Sequence, residues 1–196
     1  RRIAIITGAA RGIGRATAIE FAKRGYDLAI VDLEAKELKE VALAVEEFNT
    51  TAVTLAGDLS DMDFSKSVVK LSVERFGRID ALINNAAWRE IVTMRSISLE
   101  SWERTIRVSL TAPAFLARWA AEVMEPRRKG VIVNVSSMMS QQAAGISPAY
   151  VAAKGALDAL TAALQQLAEG DLRTRLTAAV AAEFEQLKAD FNSATA

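Results

Sequence analysis

Arg2 to Thr7 reads Arg-Ile-Ala-Ile-Ile-Thr and runs without a linker into Gly8-Ala9-Ala10-Arg11-Gly12-Ile13-Gly14. A short, β-branched apolar run of this kind suits a strand buried on both faces. An amphipathic stretch from Arg15 to Arg24 follows and stops at Gly25. No other feature constrains the fold as strongly as this succession of strand, glycine loop and helix. The glycines permit a tight turn and close backbone approach, while the helix start offers unpaired N–H groups and a positive dipole end. Such a start suits a diphosphate, although the spacing is Gly-x-x-x-Gly-x-Gly and not the commoner Gly-x-Gly-x-x-Gly. A second strand, Asp27 to Val31, leads into Asp32, eighteen residues after Gly14. An acidic residue at that distance and at a strand end can hydrogen-bond a ribose 2′-hydroxyl. The alternative, that Asp32 merely caps the next helix (Glu34 to Phe48), is weaker once the glycine loop is taken into account.

The alternation continues. Thr51 to Ala56 is a third strand, and Met62 to Phe76 a helix closed by Gly77. Asp80 to Asn84 is a fourth strand, Leu99 to Glu125 a long helical stretch, and Gly130 to Val135 a fifth strand. Pro148 precedes a helix that carries Tyr150. Repeated βα units predict an α/β fold, a doubly wound parallel sheet with helices on both faces. Ligands of such sheets bind beyond the carboxyl ends of the strands. Gly8, Asp32, Asp58, Asn85 and Ser137 all follow predicted strand ends and are expected to converge on one crevice. At 196 residues, with no repeat or linker, residues 1–196 are expected to form one domain.

Tyr150-Val-Ala-Ala-Lys154 follows Ser137 by thirteen residues. Four residues apart on a helix, the phenol and the ammonium lie on one face. A phenol is a poor base at neutral pH, with a reference pKa of about 10. A fixed cation beside it favours the phenolate. Taken alone, the pair reads more readily as a surface tyrosine packed on a lysine stem; together with the glycine loop it reads as an acid–base device, with the Ser137 hydroxyl as a hydrogen-bond partner.

Composition narrows the chemistry further. The 24 basic and 24 acidic side chains balance, so nothing points to a nucleic-acid or polybasic membrane partner. The chain has no cysteine and no histidine, which removes disulfides, thiolate nucleophiles, Ser-His-Asp catalysis and the usual zinc ligands. No metal site is expected. Tyrosine, lysine and carboxylates remain as acid–base groups. The apolar runs are interrupted by charges, Arg11 in the first and Lys154 and Asp158 in a later one, so no membrane span is expected and the cytoplasm is the expected location.

Thr7-Gly8-x-x-x-Gly12-Ile13-Gly14, Asp58-Leu59, Asn84-Asn85-Ala86, Ser137 and Tyr150-x-x-x-Lys154 together resemble the short-chain dehydrogenase/reductase family, from Arg2 to about Ala168. The resemblance implies a Rossmann-like fold, a nicotinamide dinucleotide cofactor and a secondary alcohol or ketone as substrate. It places Gly8, Arg11, Gly12, Ile13, Gly14, Asp32, Leu33, Asp58, Leu59, Asn85, Ala86, Tyr150 and Lys154 around the cofactor. Ser137, Tyr150 and Lys154 become catalytic, with Lys154 also on the nicotinamide ribose. Asp32 would repel a 2′-phosphate, so NAD is the expected cofactor, and Arg11 is then an exposed loop cation. For Asp58 a role at the adenine and a role at the start of the next helix stay open. A homodimer or homotetramer is implied, packed through the long helix and the Tyr150 helix, where Ala152, Ala153, Ala156, Ala159, Ala162 and Ala163 leave room for close approach.

The chain departs from the family pattern in three places. Ala87 stands where a glycine is usual, a small change. Ser109, in Val-Ser-Leu, stands where an asparagine usually organises a proton-relay water, so Ser109 is a doubtful relay residue. Pro113 cannot donate to the Ser109 carbonyl, so the helix is expected to kink there and leave that carbonyl free to bind a water. After Ala168 the usual Pro-Gly turn, lid and further strands are not found. Leu172, Leu176, Val180, Phe184, Leu187 and Phe191 suggest one amphipathic helix in an atypical or incomplete part, 169–196. The apolar edge left by a shortened sheet favours absent lid segments over a naturally short chain. Trp88, Arg89, Met138, Met139 and Gln141 are candidate pocket residues; Arg89 is open to an acidic substrate, although a rim pair with Glu90 is the stronger expectation, and sugar or polyol, hydroxy acid, 3-oxoacyl and steroid substrates all stay open. A second reading is an NAD-binding sensor or assembly subunit without turnover.

Overall fold

A computed structural model describes residues 1–142 and 145–168, with side chains through residue 165. Five parallel strands form one sheet: β1 (Arg2–Thr7), β2 (Tyr26–Asp32), β3 (Ala52–Ala56), β4 (Ala81–Asn84) and β5 (Val131–Asn134), in the order β3-β2-β1-β4-β5. The helices are α1 (Gly12–Lys23), α2 (Ala35–Glu46), α3 (Met62–Phe76), α4 (Leu99–Ile106), α5 (Ala112–Met124) and α6 (Pro148–Ala168). The order reverses beside β1, between the β1 and β4 carboxyl ends, the position where such sheets open a crevice.

Alternation along the central strands sorts the core into two layers. Ala4, Ile6, Leu28, Ile30 and Ile83 pack with the buried faces of α1 and α2. Ile5, Ala29, Val31 and Leu82 pack on the other side with Val68 of α3 and Leu116 and Ala120 of α5. Both faces are covered, as a parallel sheet requires. At the β5 edge, Val131 and Val133 remain about half exposed.

Helix ends follow local chemistry. Asp61, not Asp58, caps α3, accepting from the Asp63 and Phe64 amides, and Gly77 closes it at φ 75°. Pro148 is the first residue of α6, where its missing N–H costs nothing. Three sequence expectations need correction at their boundaries. α1 begins at Gly12 inside the glycine loop, and α2 is shorter than Glu34 to Phe48 at both ends. The expected long helix from Leu99 is interrupted by a π-helical segment, Arg107–Thr111, in which the Ala112 amide donates to the Arg107 carbonyl. The widened turn comes just before Pro113, where a regular ladder would demand an N–H that proline lacks.

The chain divides into two units, Arg1–Leu157 and Asp158–Ala196. Of the second, the described part is helical to Ala168. The amphipathic pattern from Leu172 to Phe191 lies outside the described residues. Among the described residues, no helix is long and apolar enough to cross a membrane.

Candidate functional site

The glycine loop is built by contact. Gly8 has φ 66°, and a Cβ there would lie 2.8 Å from Asn85 Nδ2 and 2.9 Å from Ala86 Cα. A Cβ on Gly14 would fall 2.0 Å from the Gly8 carbonyl oxygen. The loop is locked to the end of β4. Thr7 Oγ1 accepts from the Asn85 and Ala86 amides at 3.0 Å, and Asn85 Nδ2 donates to the Thr7 and Gly8 carbonyls at 3.0 and 3.1 Å. Asn85 thus acts by holding the loop. Next to it, Asn84 is buried and joins β4 to β5 and α5, donating to Asn134 Oδ1 at 2.9 Å and to the Pro113 carbonyl at 3.1 Å.

Gly12 has φ 55° with open space where a Cβ would stand. It starts α1, whose N-terminus receives no side-chain cap from Arg11. The first backbone amides of α1 are thus left without a side-chain cap, as at helix starts that accept phosphate oxygens, although Gly12, Ile13 and Gly14 are not among the residues lining the cleft described next.

A cleft of about 310 Å³ lies beyond the carboxyl ends of the first four strands. Gly8, Arg11, Asp32, Leu33 and Glu34 form one wall. Gly57, Asp58, Leu59, Asn85, Ala86 and Ala87 continue it, and Trp88, Arg104 and Val108 close it. Asp32 does not cap α2, whose N-cap is Glu34 without a side-chain bond. Its carboxylate accepts from the Leu33 amide at 2.7 Å and the Ala10 amide at 2.9 Å, tying the glycine loop to β2. Asp32 and Glu34 make this end of the cleft acidic, with Arg11 the opposing charge.

Asp58 accepts from the Ser60 amide at 2.8 Å and pairs with Arg104 at 3.0 Å. Burial alone would raise its carboxyl, but the Ser60 bonds and the Arg104 guanidinium outweigh burial and hold it below the usual carboxylate range. The same guanidinium lies 4.1 Å over the Trp88 ring, so Arg104 ties the carboxylate after β3 to the loop after β4. Arg104 carries no local motif that would mark it in the sequence, because its pair with Asp58 spans 46 residues.

Ser137, Tyr150 and Lys154 are not among the walls of this cleft. They lie past the end of β5. Lys154 is 1% exposed, and its ammonium donates to the Val135 carbonyl at 2.6 Å. That nitrogen lies 5.7 Å from the Tyr150 ring centre. Ser137 starts a 3₁₀ turn (Met138–Ser140) and accepts from the Met139 amide at 3.2 Å. α6 meets this turn at Gly155, where a Cβ would stand 3.7 Å from the Ser140 carbonyl. Ile13 is well exposed beyond the loop, and Ser109 is fully buried. Ser109 Oγ accepts from the Trp88 amide at 3.1 Å and donates to the Trp88 carbonyl at 3.2 Å, clamping the loop after β4.

Arg89 does not form the expected ion pair with Glu90. Its guanidinium lies 5.6 Å from the Tyr150 ring centre and 3.7 Å from the Met139 sulfur. Trp88 on the cleft wall and Arg89 beside Tyr150 are consecutive, so the loop after β4 connects the cleft with the tyrosine. No group of His, Cys, Asp and Glu suited to a metal occurs among the described residues.

The uncapped start of α1 and the donor set of the cleft fit a dinucleotide. Comparison with known proteins agrees. The short chain dehydrogenase family model matches residues 2–183. An uncharacterized oxidoreductase of Thermotoga maritima is 36% identical over 163 residues, covering 83% of this chain and 64% of its own length. Galactitol 2-dehydrogenase of Agrobacterium fabrum is 34% identical over 161 residues, covering 82% of this chain and 62% of that protein. The chain thus spans somewhat less than two thirds of these curated relatives. Among solved structures, a putative short-chain alcohol dehydrogenase from Sinorhizobium meliloti is similar at TM-score 0.81 and 29% identity, over 98% of this chain and 79% of that one. An NAD⁺-bound xylitol dehydrogenase is similar at TM-score 0.78 and 28% identity, over 84% of this chain and 64% of that one. A metagenomic short-chain oxidoreductase in complex with NADP is similar at TM-score 0.81 and 29% identity, over 87% and 77%. By sequence and by fold, the chain belongs to the short chain dehydrogenase family.

Proposed function

We propose that the protein is an NAD(H)-dependent oxidoreductase acting on a secondary alcohol or the corresponding ketone. The observation that carries this reading is the buried ammonium of Lys154 beside Tyr150. A lysine this buried is costly unless its charge is used and satisfied. Here one proton is donated to the Val135 carbonyl, and the charge stands one helical turn from the phenol.

Tyr150 takes the proton of the substrate hydroxyl on oxidation and returns it on reduction. Lys154 stabilises the negative charge that Tyr150 carries once deprotonated. Ser137 donates a hydrogen bond to the substrate oxygen and so stabilises the charge that develops there. The start of α1 and the Gly8–Gly14 loop would hold a diphosphate, and Asp32 a ribose hydroxyl. A bound nicotinamide supplies the hydride acceptor or donor. Asp32 and Glu34 together disfavour a 2′-phosphate by like-charge repulsion, and this supports NAD over NADP even though relatives of similar fold bind either. Exposed Ala152 and Ala156 on α6 support self-association through that helix into a dimer or tetramer.

The test is calorimetric titration with NADH and NADPH, followed by turnover of a panel of secondary alcohols by wild type and Tyr150→Phe. Tight NADH binding, weak NADPH binding and loss of turnover in Tyr150→Phe are expected. Retained turnover in that variant would exclude Tyr150 as the base. One observation favours a second reading, a dinucleotide-binding sensor: Ser109, at the family's relay position, has its hydroxyl engaged by the Trp88 backbone. Dinucleotide binding without turnover of any alcohol would support it.

A further inference from the structure

Arg89 is placed with unusual care for an exposed residue. The residue before it, Trp88, is clamped by Ser109 through both backbone groups. The residues after it are fastened to the start of α6: Ser147 Oγ donates to the Glu90 carbonyl at 2.8 Å, and the Ser147 amide donates to the Val92 carbonyl at 2.7 Å. Ser147 is itself buried, and its own carbonyl accepts from the Tyr150 amide. The loop carrying Arg89 and the first turn carrying Tyr150 are therefore fastened to one residue. Between these fixed points the guanidinium lies beside the Tyr150 ring and the Met139 sulfur, joining the two segments that hold the proposed acid–base and oxygen-binding groups.

Among the described residues no carboxylate is paired with Arg89: the adjacent Glu90 forms no ion pair with it, and the titratable side chain it meets on α6 is the Tyr150 phenol. The contacts with a ring and a thioether leave the planar fork of N–H donors free of any anionic acceptor. A guanidinium in this state suits a bidentate carboxylate. We propose that Arg89 receives a carboxylate of the substrate, so that the alcohol oxidised is a hydroxy acid seated with its hydroxyl toward Tyr150. This rests on the dehydrogenase reading and deepens it. Arg89 forms no covalent bond, and the carboxylate leaves as it entered. The hydroxyl proton would go to Tyr150 and the carbon-bound hydrogen, with its electron pair, to the oxidised nicotinamide of the proposed function, which is reduced as the hydroxy acid becomes the keto acid.

The experiment compares 2-hydroxybutyrate, 3-hydroxybutyrate and 4-hydroxypentanoate with their methyl esters, in wild type, Arg89→Ala and Arg89→Lys. In wild type at least one acid should exceed its ester in kcat/KM by roughly tenfold to a hundredfold, the range of a hydrogen-bonded charge pair. In Arg89→Ala that preference should collapse through KM, with Arg89→Lys intermediate and the Kd for NADH unmoved. Calorimetry of the corresponding keto acids, with and without NADH, reads binding independently of turnover. Esters used as well as acids by the wild type, an acid preference that survives Arg89→Ala, or NADH binding weakened along with acid binding would each overturn the proposal. Keto acids that bind through Arg89 with no turnover would sink the dehydrogenase reading and leave the Arg89 site standing. No acid binding to a wild-type protein that binds NADH would do the reverse.

Discussion

Lys154 of α6 donates its ammonium to the carbonyl of Val135, one residue past the end of β5, at 2.6 Å. The bond joins the helix that carries Tyr150 to the segment that leads into Ser137, so the three proposed catalytic residues share one fastening. On the proposed mechanism Lys154 would therefore have two duties, one electrostatic and one positional. Lys154→Met keeps the apolar stem and removes the charge, leaving the Val135 carbonyl without that donor. Turnover should fall by about 10²- to 10⁴-fold, the usual span of acid–base catalysis. Steady-state kinetics beside a circular-dichroism melt checks this. A variant that melts normally and turns over normally would remove Lys154 from the mechanism.

Asp32 holds the Ala10 amide as well as standing in the cleft. Asp32→Asn keeps an acceptor for that amide and removes the negative charge. The ratio of NADPH to NADH affinity should rise by about tenfold, equivalent to about 1.4 kcal/mol. Paired calorimetric titrations measure it. A ratio that does not move would mean that Asp32 does not face the 2′-position.

Gly8→Ala places a methyl group against Asn85 and the backbone of Ala86 at a φ of 66°. Both the strain and the collision act on the loop. We expect a loss of about 1–3 kcal/mol in stability, in the range of backbone strain at such positions, together with loss of dinucleotide binding. Urea unfolding and titration with NADH provide the two readings.

Asp80 supplies a pH dependence. Burial alone would raise its carboxyl, but hydrogen bonds from Arg78 and the Ile3 amide, with the charges of Arg78 and Arg127, hold it below the ordinary range. Its folded pKa lies below its unfolded value of about 3.9, so its contribution is complete above that value and is lost as pH falls through the folded one. Asp80 accepts from the Ile3 amide at 2.9 Å, and its own amide donates to the Ile3 carbonyl at 2.8 Å, fastening β1 beside β4. Asp80→Asn should therefore destabilise the protein at pH 7 by about 1–3 kcal/mol and flatten the acid limb of its stability curve. Chemical unfolding from pH 3 to pH 7 tests both; an unchanged acid limb would refute the assignment.

The parallel sheet and its helices were legible in the amino-acid order because the signals are local. β-branched runs, the glycine loop, Gly77 closing α3 and Pro148 opening α6 act over a few residues each. Topology alone sends strand ends to one edge, so the meeting of Gly8, Asp32, Asp58 and Asn85 at one cleft was legible too, whereas Ser137, expected with them, does not line it. Other features depend on residues far apart in the chain. Nothing near Arg104 predicts its pair with Asp58 or its stack on Trp88. Glu90 beside Arg89 suggested an ion pair, yet Ser109 and Ser147 fasten the loop so that the guanidinium meets Tyr150 instead. Ser109 reads from sequence as a weakened relay residue, while packing makes it the clamp of that loop. Hydrophobic period and turn chemistry are properties of neighbours along the chain, so the alternation of strands and helices and their parallel layering follow from them. Charge partners and backbone clamps depend on which surfaces the packed layers bring together, and they arise only once those layers have met.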